Sequence, residues 1–241
     1  MRRGECFHSL RVPPGAFIVI RVDGRSFSRF TERTVEKPFD TRFHTWMLAA
    51  AEALLKSFHG LYAYTESDEI SLLLPRGSEL FDREVEKLVS LSAARAASTF
   101  SIACGEAVEM DSRLWVGADE ASVLDYFAWR QSDATRCALN GWCYWTLRNQ
   151  GASAKKATAA LERATFAEKN ELLHRHGINF NTVPAWQRRG TGLYWERFER
   201  EGTDPRSGKA TRATRRRIAI DEELPMKAAY RALVTRILTG V

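Results

Sequence analysis

Cysteine is scarce in this chain. The four present, Cys6, Cys104, Cys137 and Cys143, form no Cys-x-x-Cys pair and have no His-x3-His to complete a metal set. Neither a zinc site nor a disulfide framework is indicated, and reduced thiols are expected. No uninterrupted apolar run reaches the length of a signal segment or a membrane span, because Arg11 and Arg21 flank the first one. A cytoplasmic protein with no membrane partner is therefore expected. The five histidines, His8, His44, His59, His174 and His176, lack metal-ligand spacing. There is no Gly-x-Ser-x-Gly elbow and no Walker lysine motif, and Arg189-Gly-Thr-Gly192 is too short to serve unaided as a phosphate loop. Internal repeats are also absent.

What is present suffices for a sizeable core: 241 residues, 44% of them hydrophobic. The net charge of +6 favours a polyanionic partner but also serves ordinary solubility. The Ile- and Val-rich run from Phe17 to Val22 reads as a buried strand, followed by an amphipathic helix from Thr41 to Phe58. Leu61 to Tyr64 and Ile70 to Leu74 read as a hairpin, Leu80 to Phe100 as a second long helix, and Gly105 to Glu109 with Arg113 to Val116 as a further strand pair. This order predicts an α+β fold, a ferredoxin-like palm with helices on one face of an antiparallel sheet. It occupies residues 1–118. From 119 to 241 the pattern turns helical (Ala121 to Asn149, Ala152 to Arg163, Thr165 to His176), with Gly151 and Gly177 as stops. A short β segment, Gly192 to Phe198, precedes a charged stretch from Glu199 to Arg217 that reads as a mobile loop. Ile218 to Ile220 reads as its returning strand and Met226 to Leu238 as a closing helix.

Two acidic signatures lie at the ends of expected strands: Arg21-Val-Asp-Gly-Arg25 and Ser67-Asp-Glu69. Buried carboxylates are costly unless a cation occupies them, so Asp23 and Asp68 suit divalent metal held against a nucleotide triphosphate. The plainer alternative is turn chemistry, with both acids paired to arginines.

A longer series of motifs decides between the two. Arg21-Val-Asp-Gly-Arg25, Phe27, Lys37-Pro-Phe-Asp40, Tyr64-Thr-Glu-Ser-Asp-Glu69, Trp129-Arg-Gln-Ser-Asp133, Lys169-Asn-Glu171, Gly177-Ile-Asn-Phe-Asn181 and Arg189-Gly-Thr191 stand in this order. In order and spacing the chain resembles the tRNA(His) guanylyltransferase family, including the Thg1-like 3′-to-5′ RNA polymerases, from about Phe17 to Trp195.

The resemblance implies a polymerase-like palm that adds nucleotides to the 5′ end of tRNA, with ATP and GTP as substrates. It implies two Mg²⁺ ions on Asp23, Asp68 and the Gly24 carbonyl, with Glu69 as a supporting catalytic acid. Arg21, Arg25, Phe27, Lys37, Ser67, Arg83 and Lys87 match positions near the nucleotide. Arg83 and Lys87, four residues apart, would share a helix face and clamp phosphate, or else be surface charges paired with Asp82, Glu84 or Glu86. Arg130, Asp133, Lys169, Asn170 and Arg189 are the matching tRNA contacts, and Trp129, Trp142 and Trp145 are expected in the core. Arg212, Arg215 and Arg216, within a basic cluster that also holds Arg206, Lys209 and Arg217, are candidate RNA contacts. A tetramer built as a dimer of dimers is implied as well.

One departure stands out. Where the guanylyltransferases carry His-Ile-Asn-Asn-Leu-Tyr-Asn, this chain reads Thr135-Arg-Cys-Ala-Leu-Asn-Gly141. It points to template-dependent repair of 5′-truncated tRNA rather than addition of one non-templated G. A catalytically silent RNA-binding palm and a palm-type cyclase remain as other classes.

Overall fold

The computed structural model describes residues 4–203 and 210–240. Strand β1 (Phe17–Gly24) leads through helices α1 (Phe27–Thr34) and α2 (Thr41–Ser57) to the hairpin β2 (Tyr62–Glu66) and β3 (Glu69–Leu73). Helix α3 (Val85–Cys104) and strand β4 (Met110–Gly117) complete the first unit. Helices α4 (Glu120–Asn149), α5 (Ala154–Leu161), α6 (Phe166–Arg175) and α7 (Ala185–Arg189) follow, then β5 (Thr191–Thr203), β6 (Ala210–Asp221) and α8 (Lys227–Thr239).

The six strands make one antiparallel sheet in the order β4-β1-β3-β2-β5-β6, whose first four strands have the expected ferredoxin-like arrangement. β1 is apolar throughout because both its faces are covered. Ile18, Ile20 and Val22 pack with Ala50, Leu54 and Leu55 of α2 and Leu88, Ala96 and Phe100 of α3. Phe17 and Val19 face the other way, toward Val123, Tyr126 and Phe127 of α4 and Tyr230, Leu233 and Val234 of α8. A third cluster joins the distal half of α4, through Leu139 and Cys143, to Leu161, Leu173 and Phe180. All four cysteines are free thiols.

Three expectations need correction. Gly105 to Glu109 is not a strand: Gly105, at φ 79°, ends α3 in the left-handed conformation, and Ser101 Oγ then accepts from the Val108 amide. The eight-residue helix α1 was not foreseen, since only Phe27, Phe30 and Thr31 of it are buried. Most of Glu199 to Arg217 is not a loop but the long β5–β6 hairpin, paired from Gly192↔Asp221 to Thr203↔Ala210. Arg206 and Lys209 lie outside the described residues. β5 also pairs with β2, so the sheet continues past residue 118.

Candidate active site

Two adjacent strands bring the acidic signatures together. The β2–β3 turn has only Ser67 and Asp68 between the paired residues Glu66 and Glu69, and Ser67 takes φ 49° to close it. The Gly24 amide donates to the Asp68 carbonyl at 3.1 Å, which ties the end of β1 to this turn. A Cβ at Gly24 would sit 2.4 Å from the Phe27 ring, so only glycine allows this closeness.

Asp23 is paired in register with Glu69 on β3 and Asp111 on β4. Burial, with the negative charge of Asp111 next, raises its pKa above the ordinary value. Burial followed by the charge of Asp23 does the same to Asp68, whose carboxylate accepts from Ser67 Oγ at 3.0 Å. Two carboxylates held close at this cost are hard oxygen donors suited to Mg²⁺. Among the described residues no set of three or more His, Cys, Asp or Glu side chains forms a protein-only metal cage.

Asp68 and Ser67 line a cavity of about 510 Å³. One wall carries Phe27, Ser28, Thr31, Glu32 and Lys37; the facing wall is α4, with Arg136, Cys137, Asn140, Gly141, Tyr144 and Trp145. Lys37 donates to Thr31 Oγ1 and stands 5.7 Å from the Trp145 ring centroid. Its burial lowers its pKa, while Glu32 and Asp68 oppose that shift. Phe27 is buried against Phe30, Phe43 and Phe100, so it shapes the wall as part of the core.

Beside the cavity lies a buried ion network. Arg130 donates from Nε and Nη2 to Glu69 at 2.7 and 2.8 Å, from Nη2 to Glu66 at 2.8 Å, and from Nη1 to Asp133 at 3.2 Å. Arg21 adds a 3.7 Å contact to Glu69. Burial pushes Glu66 up to about 8 despite Arg130. Glu69 thus faces α4, where its carboxylate is committed to arginine.

Several candidates are placed elsewhere. Arg83 is not a phosphate clamp. It is buried, precedes α3, and spends its guanidinium on the carbonyls of Val12, Pro13, Ala16 and Ser78, at the far end of β1 from Asp23. Lys87, in the first turn of α3, pairs with Glu84 at 3.1 Å and is likewise remote from the cavity. Arg25 pairs with Glu109 at 2.8 Å in a separate surface depression. Arg130 is too buried to offer RNA a surface, and Asp133 is held between Arg130 and Arg136. Arg189 donates to the Leu224 carbonyl at 2.8 Å, which joins α7 to the segment before α8.

Lys169 and Asn170 are half-buried on α6, away from the cavity, with Asn170 Nδ2 donating to the Phe166 carbonyl. On the β5–β6 hairpin Arg212 pairs with Glu201 at 3.1 Å, Arg216 lies 4.4 Å from the Trp195 ring centroid, and Arg215 is exposed. The tryptophans are not simply core: Trp129 is 52% exposed, Trp145 lines the cavity, and Trp142 packs at the edge of the third cluster. Arg136, Asn140 and Asp111 were missed. The four-residue step from Arg136 to Asn140 on one helix was the available signal, whereas nothing local marked Asp111 as lying across from Asp23.

The chain matches the model of the tRNAHis guanylyltransferase family (Thg1) over residues 1–130 and that of the Thg1 C terminal domain over residues 121–232. It is 32% identical over 227 residues to the tRNA(His) guanylyltransferase of Debaryomyces hansenii, covering 87% of this chain and 86% of that one. It is also 32% identical over 216 residues to tRNA(His) guanylyltransferase 2 of Arabidopsis thaliana, covering 83% of this chain but only 40% of that longer protein. Among solved structures, the Saccharomyces cerevisiae tRNA(His) guanylyltransferase superposes with a TM-score of 0.73 at 25% identity, over 80% of this chain and 91% of that one. A bacterial Thg1-like protein in complex with ATP gives 0.78 at 24% identity, over 99% and 96%. With residues 1–130 and 121–232 matched by the two family models and the fold matched by a solved member, this chain belongs to the tRNA(His) guanylyltransferase (Thg1) family.

Proposed function

We propose that this protein is a template-dependent nucleotidyltransferase that extends the 5′ end of truncated tRNA in the 3′-to-5′ direction, with ATP and GTP among its substrates. The observation that carries this reading is the convergence of Asp23 and Asp68, from adjacent strands, beside a cavity that also holds Lys37. Bacterial Thg1-like proteins of the same fold have been solved in complex with GTP and with ATP, which supports nucleotides as ligands.

Asp23, Asp68 and the Gly24 carbonyl would hold two Mg²⁺ ions. Bound there, Mg²⁺ would neutralise the triphosphate and make an attacking hydroxyl more acidic. The chain's own part is positional. The Ser67 turn fixes Asp68, Gly24 permits close backbone approach, and Lys37 supplies a cation to phosphate. Arg130 fixes Glu66 and Glu69 on either side of the catalytic turn, so the turn keeps its shape when substrate enters.

Template-directed addition, rather than a single G, is supported by the segment from Thr135 to Gly141. Thr135 Oγ1 donates to the Arg188 carbonyl at 2.9 Å, so this position binds α4 to α7 instead of offering a ring to RNA. In this reading residues 1–118 form the catalytic palm, and residues 119–241 meet tRNA and neighbouring copies in a cytoplasmic homotetramer.

The test uses 5′-truncated tRNA labelled at its 3′ end, Mg²⁺ and each nucleoside triphosphate in turn. The expected product is longer at the 5′ end, with the base set by the opposing template nucleotide and little dependence on the anticodon. G added opposite any base, with a strict need for the tRNA(His) anticodon, would establish the single-G reaction instead.

A further inference from the structure

The cavity is rich in acids where a polyphosphate would have to lie. Glu32, Glu36, Asp40, Glu66 and Asp68 line it, and beside them stand two cationic side chains, Lys37 and Arg136. Asp40 is occupied by Arg42, and Glu66 by Arg130. Arg136 is anchored differently: Nε and Nη2 donate to Asp133 Oδ1 at 2.9 and 2.6 Å, yet its side chain remains 69% exposed. Asp133 also serves Arg130, so one carboxylate is shared between two guanidiniums. Anchoring fixes the plane of the Arg136 fork while leaving donors for another oxyanion.

The same wall continues upward. Asn140 and Tyr144 follow Arg136 at four-residue steps along α4 and line the same cavity, which stacks the three side chains in one stripe. Among the described residues no hydrogen bond engages the Asn140 amide or the Tyr144 hydroxyl.

We infer that Arg136 is a phosphate-binding residue of this cavity, a specificity determinant on the wall across from Lys37, with Asn140 as the adjacent polar contact. The inference rests on the nucleotidyl-transfer reading of the site. The phosphate has two possible sources, the triphosphate of a nucleotide or the 5′-phosphate of the RNA, and the same fork suits either.

The experiment is calorimetric titration of the full chain and of its Arg136→Ala, Arg136→Gln and Arg136→Lys variants. The probes are ATP, GTP, inorganic tripolyphosphate, and truncated tRNA bearing either a 5′-phosphate or a 5′-hydroxyl. Losing a charge-assisted hydrogen bond predicts roughly tenfold or greater weakening in Arg136→Ala and Arg136→Gln, with partial recovery in Arg136→Lys. Weakening that includes tripolyphosphate assigns the residue to the nucleotide. Weakening confined to RNA, with loss of the preference for 5′-phosphate over 5′-hydroxyl, assigns it to the RNA end. Glutamine removes the guanidinium but keeps a polar, helix-compatible side chain, so a melting temperature like that of the wild type separates binding loss from unfolding. Wild-type affinities for all probes in folded Arg136→Gln would overturn the inference. Because titration needs no turnover, a wild type that binds the probes but never extends RNA would overturn only the proposed reaction.

Discussion

Among the described residues no direct ion pair neutralises Asp23 or Asp68, and both carboxyls are raised by burial and by neighbouring acids. In the proposed reaction such a site trades stability for chemistry. Asp23→Asn and Asp68→Asn should therefore leave the melting temperature unchanged or higher while lowering 5′ nucleotide addition by several orders of magnitude. Scanning calorimetry and single-turnover extension on the same preparations check both parts; a folded variant with wild-type turnover would remove these carboxylates from catalysis. Arg83 should behave in the opposite way. Its guanidinium serves four backbone carbonyls, so Arg83→Met should lose about 3 kcal/mol or more in urea unfolding. The nucleotide KM should not move, and a raised KM in a stable variant would return Arg83 to the phosphate site.

At the scale of elements, helix α2 depends on its cap. Asp40 accepts from the Arg42 amide at 2.7 Å, and hydrogen bonds from Arg42 hold its carboxyl well below the usual range. A folded-state pKa below the unfolded one gives stability that is fully present above about pH 4 and is lost progressively as the pH falls from there through the lower folded-state value. Asp40→Asn should flatten the acid side of the stability curve, and Asp40→Ala should cost about 1 kcal/mol near neutral pH. Melting measured from pH 3 to 7 tests both. The β5–β6 hairpin makes a separate case, because its strands distribute charge unevenly between two faces. Arg212 is matched by Glu199 and Glu201, whereas Arg215 lies across from Phe198. If the hairpin meets RNA, Arg215→Ser should reduce the slope of log affinity against log salt by roughly 0.7 to 0.9. Arg212→Ser should reduce it less, since its charge is already partly answered. Equal slopes for both variants and wild type across a salt series would place the RNA elsewhere. The strands and long helices of the first unit were legible because their apolar runs have clear periods. This hairpin was not, because both faces of its distal part are polar and a period of two leaves no hydrophobic trace there.

Across the whole molecule, the sheet is shared by both matched parts and α4 spans their junction. α8 closes the second face: Tyr230 is buried against Tyr64, and its hydroxyl lies 3.0 Å from that of Tyr62. Unfolding should accordingly follow one cooperative transition, and truncation after Pro225 should lower the melting temperature sharply and expose dye-binding apolar surface. Two resolved transitions, or a truncated chain with wild-type stability, would show that the parts fold independently.

The sequence by itself determined the palm topology, the two acidic strand ends and the family, because apolar periodicity and short ordered motifs are local properties. It also singled out Lys37, which the fold places in the same cavity as Asp68. Tertiary structure decided which charges are available. Arg83, Arg130 and Arg189 read as ligands for anions, yet they are consumed by carbonyls and carboxylates from distant segments. Arg136 drew no attention in the sequence, but the pairing of Asp133 with two arginines and the facing of α4 toward Asp68 put it in the cavity. Burial sets the strength of a charge, and partners set its freedom. Both arise from contacts between residues far apart in the chain, which no local pattern records.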